Sequence, residues 1–164
     1  MSYVDQFAAG FMFDFNKVNE FKSQSIWKSI FYVMLIVLLT GILRAFLGWN
    51  QILDEVARYL DVSYDGAFFA AVFFQYFEIA FDLIIHFVLI SALAMIGLGF
   101  KNVGDVTYKE LWTVNAYGIS APILFRLMIQ MLGFVFPGLL FVYWLVVSMF
   151  SIFYLKWMVK KEQK

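Results

Sequence analysis

The sequence predicts an all-α, polytopic membrane protein, and its composition, its apolar runs and the placement of its basic residues all indicate that class. Hydrophobic residues make up 63% of the 164-residue chain and charged residues 15%, with a mean hydropathy of +0.81. A soluble domain carries about 25% charged residues. We therefore expect one membrane domain over residues 1–164, located as a multi-pass protein in the cell (cytoplasmic) membrane.

Four apolar segments are long enough to cross a bilayer as helices, which takes about 20 residues each. They cover about residues 27–47, 79–100, 111–132 and 138–158. An apolar extension over 66–78 precedes the second segment, and the sequence leaves open whether it lengthens that span or forms a separate interfacial segment. The turn at 133–138, with Pro137, is so short that the last two spans are expected to form an antiparallel hairpin.

The basic residues predict the orientation, because cytoplasmic connections are enriched in Lys and Arg. Nine lysines flank the predicted spans on the side shared by both termini: Lys17, Lys22, Lys28, Lys101, Lys109, Lys156, Lys160, Lys161 and Lys164. The opposite side has only Arg44 and Arg58, beside several acidic residues. Both termini are therefore predicted to be cytoplasmic, with four crossings between them.

Two flanking segments have the pattern of amphipathic helices. Over about 3–21, Phe7, Phe11, Phe15 and Val18 recur at helical spacing, which predicts an interfacial helix on the cytoplasmic membrane surface. A second apolar stripe between the first two spans predicts a short helix at the outer surface; it contains Ile52, Val56, Tyr59 and Leu60. For both segments, packing against the protein's own bundle and anchoring in membrane lipids remain open.

Polar residues inside the apolar segments are the candidate site. Gln75, Glu78, Asp82 and His86 lie within an arc of roughly 80° on one helix face, at ~100° per residue. Arg126 and Gln130 lie four residues apart in the third span. An ionisable group at membrane depth costs roughly 2.5 kcal/mol or more, so such groups normally face a protein interior or a water-filled cavity.

Three interpretations of these residues remain open. At 1.5 Å per residue, Asp82 lies about 27 Å from the cytoplasmic end of its span and Arg126 about 22 Å from the start of its own, so the two levels overlap. Arg126 is therefore expected to pair with Asp82, Glu78 or both, in a network that holds helices together. Alternatively, the residues line a cavity for an ion, a proton, a sugar or a lipid headgroup, or Glu78 simply reaches solvent.

Metal and catalytic sites are not expected. Glu78, Asp82 and His86 offer oxygen and nitrogen donors, but they extend over ~12 Å of helix axis, too far for one ion to contact all three. His86 is the only histidine, there is no cysteine, and no serine has a GxSxG context. We therefore expect no cofactor and no enzymatic activity. The absence of a basic stripe also argues against nucleic-acid binding.

The third predicted span contains a proline. Pro122 follows a small and polar patch that includes Asn115, Gly118 and Ser120. Because proline has no amide proton, it leaves a backbone carbonyl near Gly118 without its helical hydrogen bond, and we expect a kink there. The patch is either a packing notch or a gap that opens toward the polar residues.

The stretch over 106–125 (VTYKELWTVNAYGISAPILF) and the approach to the first span (FKSQSIWKSIFYVMLIVLL) carry a family resemblance. They resemble an uncharacterised family of bacterial multi-span proteins that includes the maltodextrin-utilisation membrane proteins found beside sugar-transport genes. That family is related more loosely to the Yip (Ypt-interacting) membrane proteins. The resemblance covers roughly 20–47 and 77–160, and it implies a helical membrane fold but no catalytic residues.

The sequence thus favours a non-enzymatic integral membrane protein. We expect an accessory or scaffold subunit that docks onto a larger membrane assembly or associates with itself, with membrane lipids and a membrane protein or a second copy as partners. The alternative is a small transporter or a ligand- or lipid-binding membrane protein that uses the polar residues as its site.

Overall fold

The computed structural model describes residues 3–12, 14–21, 23–99, 106–131 and 139–162, with the side chains of 130–144 and 159–162 left out of that description. Over these residues the protein is all-helical and has no strand. The described ranges contain seven helices: α1 (Tyr3–Phe11), α2 (Phe15–Phe21), α3 (Ile26–Leu60), α4 (Tyr64–Gly99), α5 (Tyr108–Gly118), α6 (Ser120–Met131) and α7 (Leu139–Glu162).

Helices α3 and α4 form a long antiparallel hairpin that dominates the fold. They contain 35 and 36 residues, so each is longer than 50 Å at about 1.5 Å per residue. Within the described part of the chain, these are the two helices long and apolar enough to cross a membrane. A shorter apolar stretch, Leu145–Met158, lies in α7.

Helices α3 and α4 extend beyond the boundaries predicted for the first two spans. The predicted first span and the predicted outer-surface helix are one helix, because no proline or helix-ending glycine separates them. Likewise, residues 66–78 belong to α4, so the apolar extension lengthens that helix. The hairpin turns at Asp61, whose φ of 51° lies in the left-handed region that Asp tolerates better than most residues.

The main core lies at the end of the hairpin that carries Ile26 and Gly99. There α5 is buried at every position from Leu111 to Gly118, enclosed by α3, α4, α7 and the two N-terminal helices. Large side chains from four helices fill this core, including Tyr32, Leu89, Ile90, Tyr117, Phe150 and Tyr154. This end therefore holds most of the buried apolar surface, which is the main stabilising term in folding.

The N-terminal segment consists of two helices rather than the single helix predicted over 3–21. Val18 and Phe21 of α2 are fully buried, and the Tyr154 hydroxyl donates to Asn19 Oδ1 at 3.0 Å. Both helices pack against α5, while Phe11 remains 45% exposed. One face of the segment thus packs against the protein's own bundle; whether the other face contacts lipid stays a prediction.

The predicted third span is divided into α5 and α6 at Ile119. Pro122 lies in the first turn of α6, where its missing amide proton leaves the Gly118 carbonyl without a helical partner. Ser120 Oγ instead donates to the Tyr117 carbonyl at 2.8 Å. The predicted turn at 133–138, with Pro137, lies outside the described residues, and the count of four spans stays a prediction.

Beyond the main core, the other end of the hairpin forms what we call the distal arm, residues 48–77. A second, smaller core holds it together: Leu53, Ala67 and Ala71, with Trp49, Ile52, Val56 and Ala57 packed around them. All of these residues come from α3 and α4. The Tyr64 hydroxyl also donates to Asp54 Oδ1 at 2.6 Å, which ties the two helices together near the turn.

Candidate functional site

The polar residues meet beside a tight contact between α3 and α4, which a glycine makes possible. A Cβ atom on Gly41 of α3 would lie 2.6 Å from Cγ1 of Ile79 on α4, so only glycine allows this separation without a shift. Arg44 follows Gly41 by three residues, and Asp82 follows Ile79 by three. Because residues three apart share a helix face, both charged side chains extend from the same contact.

Asp82 is the centre of an ion-pair cluster that joins three helices. Its carboxylate lies 3.4 Å from Arg44 Nη1 of α3 and 3.2 Å from Arg126 Nη1 of α6. The Arg126 Nη1 atom donates to both carboxylate oxygens, at 3.2 and 3.4 Å. These three side chains are only 16–18% exposed, so each charge is largely removed from solvent and is stabilised by its partner.

Glu78 extends the cluster toward the surface. Its Oε1 lies 3.0 Å from Arg44 Nη2, and its side chain is 45% exposed. Gln75 Nε2 donates to Glu78 Oε2 at 3.2 Å. The two arginines and the two carboxylates therefore balance to zero net charge, which removes most of the cost of burying any one of them.

His86 lies one turn below Asp82 and is buried. Its Nδ1 is 2.6 Å from the Asp82 backbone carbonyl, which can only accept, so Nδ1 carries the proton and donates. The imidazole is thereby fixed beside the Asp82 carboxylate. Gln130 belongs to α6, but its side chain lies outside the described residues.

A small cavity lies between the paired charges. It has a volume of about 20 Å³ and is lined by Arg44, Asp82, His86 and Arg126, with Gly41 at its wall. A volume of ~10–15 Å³ on this measure holds one water molecule. The cavity therefore has room for about one water, which could hydrogen bond to the charged groups around it.

The structure thus places Gln75, Glu78, Asp82, His86 and Arg126 in one connected cluster, and it adds Arg44. The sequence interpretation assigned Arg44 to the far side of the membrane with Arg58. The sequence did contain a signal for this position. Arg44 follows Trp27 by 17 residues, which at 1.5 Å per residue places it about 26 Å along its helix, level with Asp82. The same arithmetic that paired Arg126 with Asp82 would have included Arg44.

A known protein family matches the part of the chain that contains most of this site. The family model described as "Protein of unknown function (DUF1189)" matches residues 54–155. This range runs from the distal arm through α4, α5 and α6 into α7, and it includes Asp82, His86 and Arg126. Since the match covers more than half of the chain, the protein belongs to this family. No curated protein and no solved structure matches the chain.

Proposed function

We propose that this member of the DUF1189 family is a non-enzymatic integral membrane protein that serves as a docking subunit of a larger membrane assembly. The observation that carries the proposal is a row of exposed phenylalanines on α4. Phe69, Phe73, Phe77 and Phe81 follow one another at intervals of four residues and are 77%, 59%, 57% and 64% exposed. We call this row the phenylalanine ladder.

The membrane position of the hairpin follows from its length and its charges. Lys28 marks the cytoplasmic end of α3, and a hydrocarbon core of about 30 Å takes about 20 helical residues from there. The outer boundary then falls near Gly48, where the sequence continues with Trp49, Asn50 and Gln51. Trp and amide side chains are well suited to this boundary. Both termini are cytoplasmic in this arrangement, and α5 to α7 complete a four-span protein.

The distal arm then lies at and beyond the outer surface of the bilayer. Phe69 lies twelve residues beyond Phe81 on the same helix, or about 18 Å farther along its axis. Because Ile79 of α4 lies against Gly41 of α3, the level of Gly48 corresponds to about residue 72 of α4. Phe69 is therefore about 5 Å outside the hydrocarbon core, at the level of the headgroups, which extend about 5–8 Å. An exposed phenylalanine at this level is suited to a contact with a partner protein.

The ion-pair cluster supports docking more than transport. Its charges are paired within the protein, and its cavity of about 20 Å³ holds one water. Pockets for sugars or other small ligands have volumes of about 300–1,000 Å³. The cluster is therefore interpreted as a lock that fixes α3, α4 and α6, so that the arm is presented in one orientation.

The identity of the assembly is suggested by the sequence resemblance. Similarity to the maltodextrin-utilisation membrane proteins, found beside sugar-transport genes, favours a transporter as the docking partner. Self-association through the same ladder would be a docking function of the same kind.

Purification from native membranes tests the proposal. A tagged chain is isolated in mild detergent, and all co-purifying proteins are quantified by mass spectrometry. We expect a stoichiometric protein partner, or a second copy, that is lost in the double variant Phe69→Ala and Phe73→Ala. The matched control is Met95→Ala and Ile96→Ala, two residues of α4 that are 67% and 59% exposed at the opposite end. Recovery of a monomer alone, or equal loss in both variants, would overturn the proposal.

A further inference from the structure

A groove runs along the distal arm between α3 and α4. Its volume is about 400 Å³, and its apolar wall is formed by Ile52, Val56, Leu60 and Phe74. Tyr59, which also lines it, is 85% exposed. A groove of this size between two helices suits a third helix, whose apolar side chains fill the space between the ridges.

Polar side chains also line the groove: Glu55 on α3, and Gln75 and Glu78 on α4. Gln75 Nε2 donates to Glu78, but Gln75 Oε1 is buried and has no hydrogen-bond partner among the described residues. A buried acceptor without a donor is costly, so a ligand that brings an N–H group here gains by satisfying it.

The charge of the surrounding surface points to a cationic ligand. Residues 44–78 contain five acidic residues, Asp54, Glu55, Asp61, Asp65 and Glu78, against two basic residues, Arg44 and Arg58, and Arg44 is paired with Glu78. Such a surface attracts Lys and Arg and is repelled by the phosphates of a lipid surface. Apolar walls, the carboxylate of Glu55 and the open acceptor of Gln75 together match an apolar helix that carries one basic side chain.

We propose that this groove binds an apolar helix of the partner protein, with a Lys or Arg of that helix contacting Glu55. The proposal rests on the docking function above and specifies its partner chemistry. The apolar face of the partner helix covers Ile52, Val56 and Phe74, and a separate N–H donor of that helix reaches the side-chain oxygen of Gln75. The charge of the site then selects a basic helix over an acidic one.

Site-specific photocrosslinking in the native membrane tests this inference. The photoreactive residue p-benzoylphenylalanine replaces Tyr59 in the full-length chain, and the crosslinked peptide is identified by mass spectrometry. We expect an apolar protein segment that contains Lys or Arg. In the same background, Glu55→Gln should reduce the crosslink yield about tenfold, as expected for loss of a charge-assisted hydrogen bond.

The control for charge is Asp61→Asn, which removes the same charge outside the groove at a position where Asn tolerates the left-handed backbone. It should leave the crosslink yield unchanged. Crosslinks to lipid, to a segment without a basic residue, or with a yield that Glu55→Gln does not lower would overturn the groove assignment.

The two proposals fail in different ways. If the photoreactive residue at Phe69 captures a protein but the one at Tyr59 captures none, docking stands and the groove assignment falls. If neither position captures a protein, both fall.

Discussion

Arg126 Nη1 lies 3.2 Å from Asp82 Oδ1, although 44 positions separate the two residues in the chain. This contact joins α6 to the hairpin at the level where Arg44 also contacts the carboxylate. The Asp82 carboxylate thus contacts two guanidinium groups, of which Arg44 is also paired with Glu78. The cluster is asymmetric as a result, because Asp82 has two partners of opposite charge and Arg126 has one.

That asymmetry predicts unequal losses of stability. Asp82→Asn leaves Arg126 without its counter-charge while Glu78 still pairs with Arg44, and we expect a loss of about 3 kcal/mol. Arg126→Gln leaves Asp82 paired with Arg44, and we expect a loss of about 1 kcal/mol. The free energy of unfolding, measured in detergent, checks both values. Adding Arg126→Gln to Asp82→Asn should recover part of the loss because it removes the unpaired charge, whereas equal losses in the two single variants would contradict this account.

Much of the architecture could be predicted from hydropathy and helical periodicity. The apolar runs predicted helical spans over about 27–47 and 79–100, which fall largely within the longer helices α3 and α4, and the overlapping levels of Asp82 and Arg126 predicted that they could meet. The sequence could not fix where α3 ends, because an amphipathic segment with Asp54 and Arg58 continues a helix as readily as it begins a new one. That choice depends on tertiary packing, here the small core around Leu53 and Ala67.

The sequence also could not determine what the N-terminal segment packs against. Its stripe of phenylalanines is compatible with lipid or with protein, since both are apolar surroundings. The deciding contact is made by Gly10, where the absence of a side chain lets α1 approach α5. A residue without a side chain has no apolar signal, so periodicity alone cannot identify it.

This contact predicts that Gly10→Ala separates α1 from the bundle. A Cβ at Gly10 would lie 2.1 Å from the Tyr117 carbonyl oxygen, a backbone atom that cannot rotate away. We expect faster amide hydrogen exchange over α1 and little change in α4. The hydrogen-exchange rates of the purified protein, measured by mass spectrometry, check this expectation. Unchanged protection of α1 would show that the helix is held by other contacts.

The N-terminal cap of α5 provides a prediction about how Thr107 stabilises the start of that helix. Thr107 Oγ1 accepts from the Glu110 amide at 3.3 Å, and Glu110 Oε2 accepts from the Thr107 amide at 2.9 Å. This capping box begins the helix. Thr107→Ala should therefore lower the free energy of unfolding by about 1 kcal/mol, whereas Thr107→Ser should retain most of it. Equal losses in the two variants would indicate that the methyl group, not the hydroxyl, matters.

The close approach of α5 and α7 gives the most direct test of packing in the main core. A Cβ on Gly118 would lie 2.4 Å from Cδ1 of Phe150, a fully buried ring. The ring cannot move freely, so Gly118→Ala should lower the free energy of unfolding by about 1–3 kcal/mol through overpacking.

Gly48→Ala is the matched control. The nearest neighbour of a Cβ at this position would be Ile52 Cδ1 at 3.8 Å, and alanine favours the helix by about 1 kcal/mol. Thermal unfolding in detergent should therefore show a lower midpoint for Gly118→Ala and an equal or higher midpoint for Gly48→Ala. Adding Phe150→Leu to Gly118→Ala should recover part of the loss by making room for the new methyl group. If Gly118→Ala proves as stable as the unmodified protein, α5 and α7 are farther apart than the structure has them.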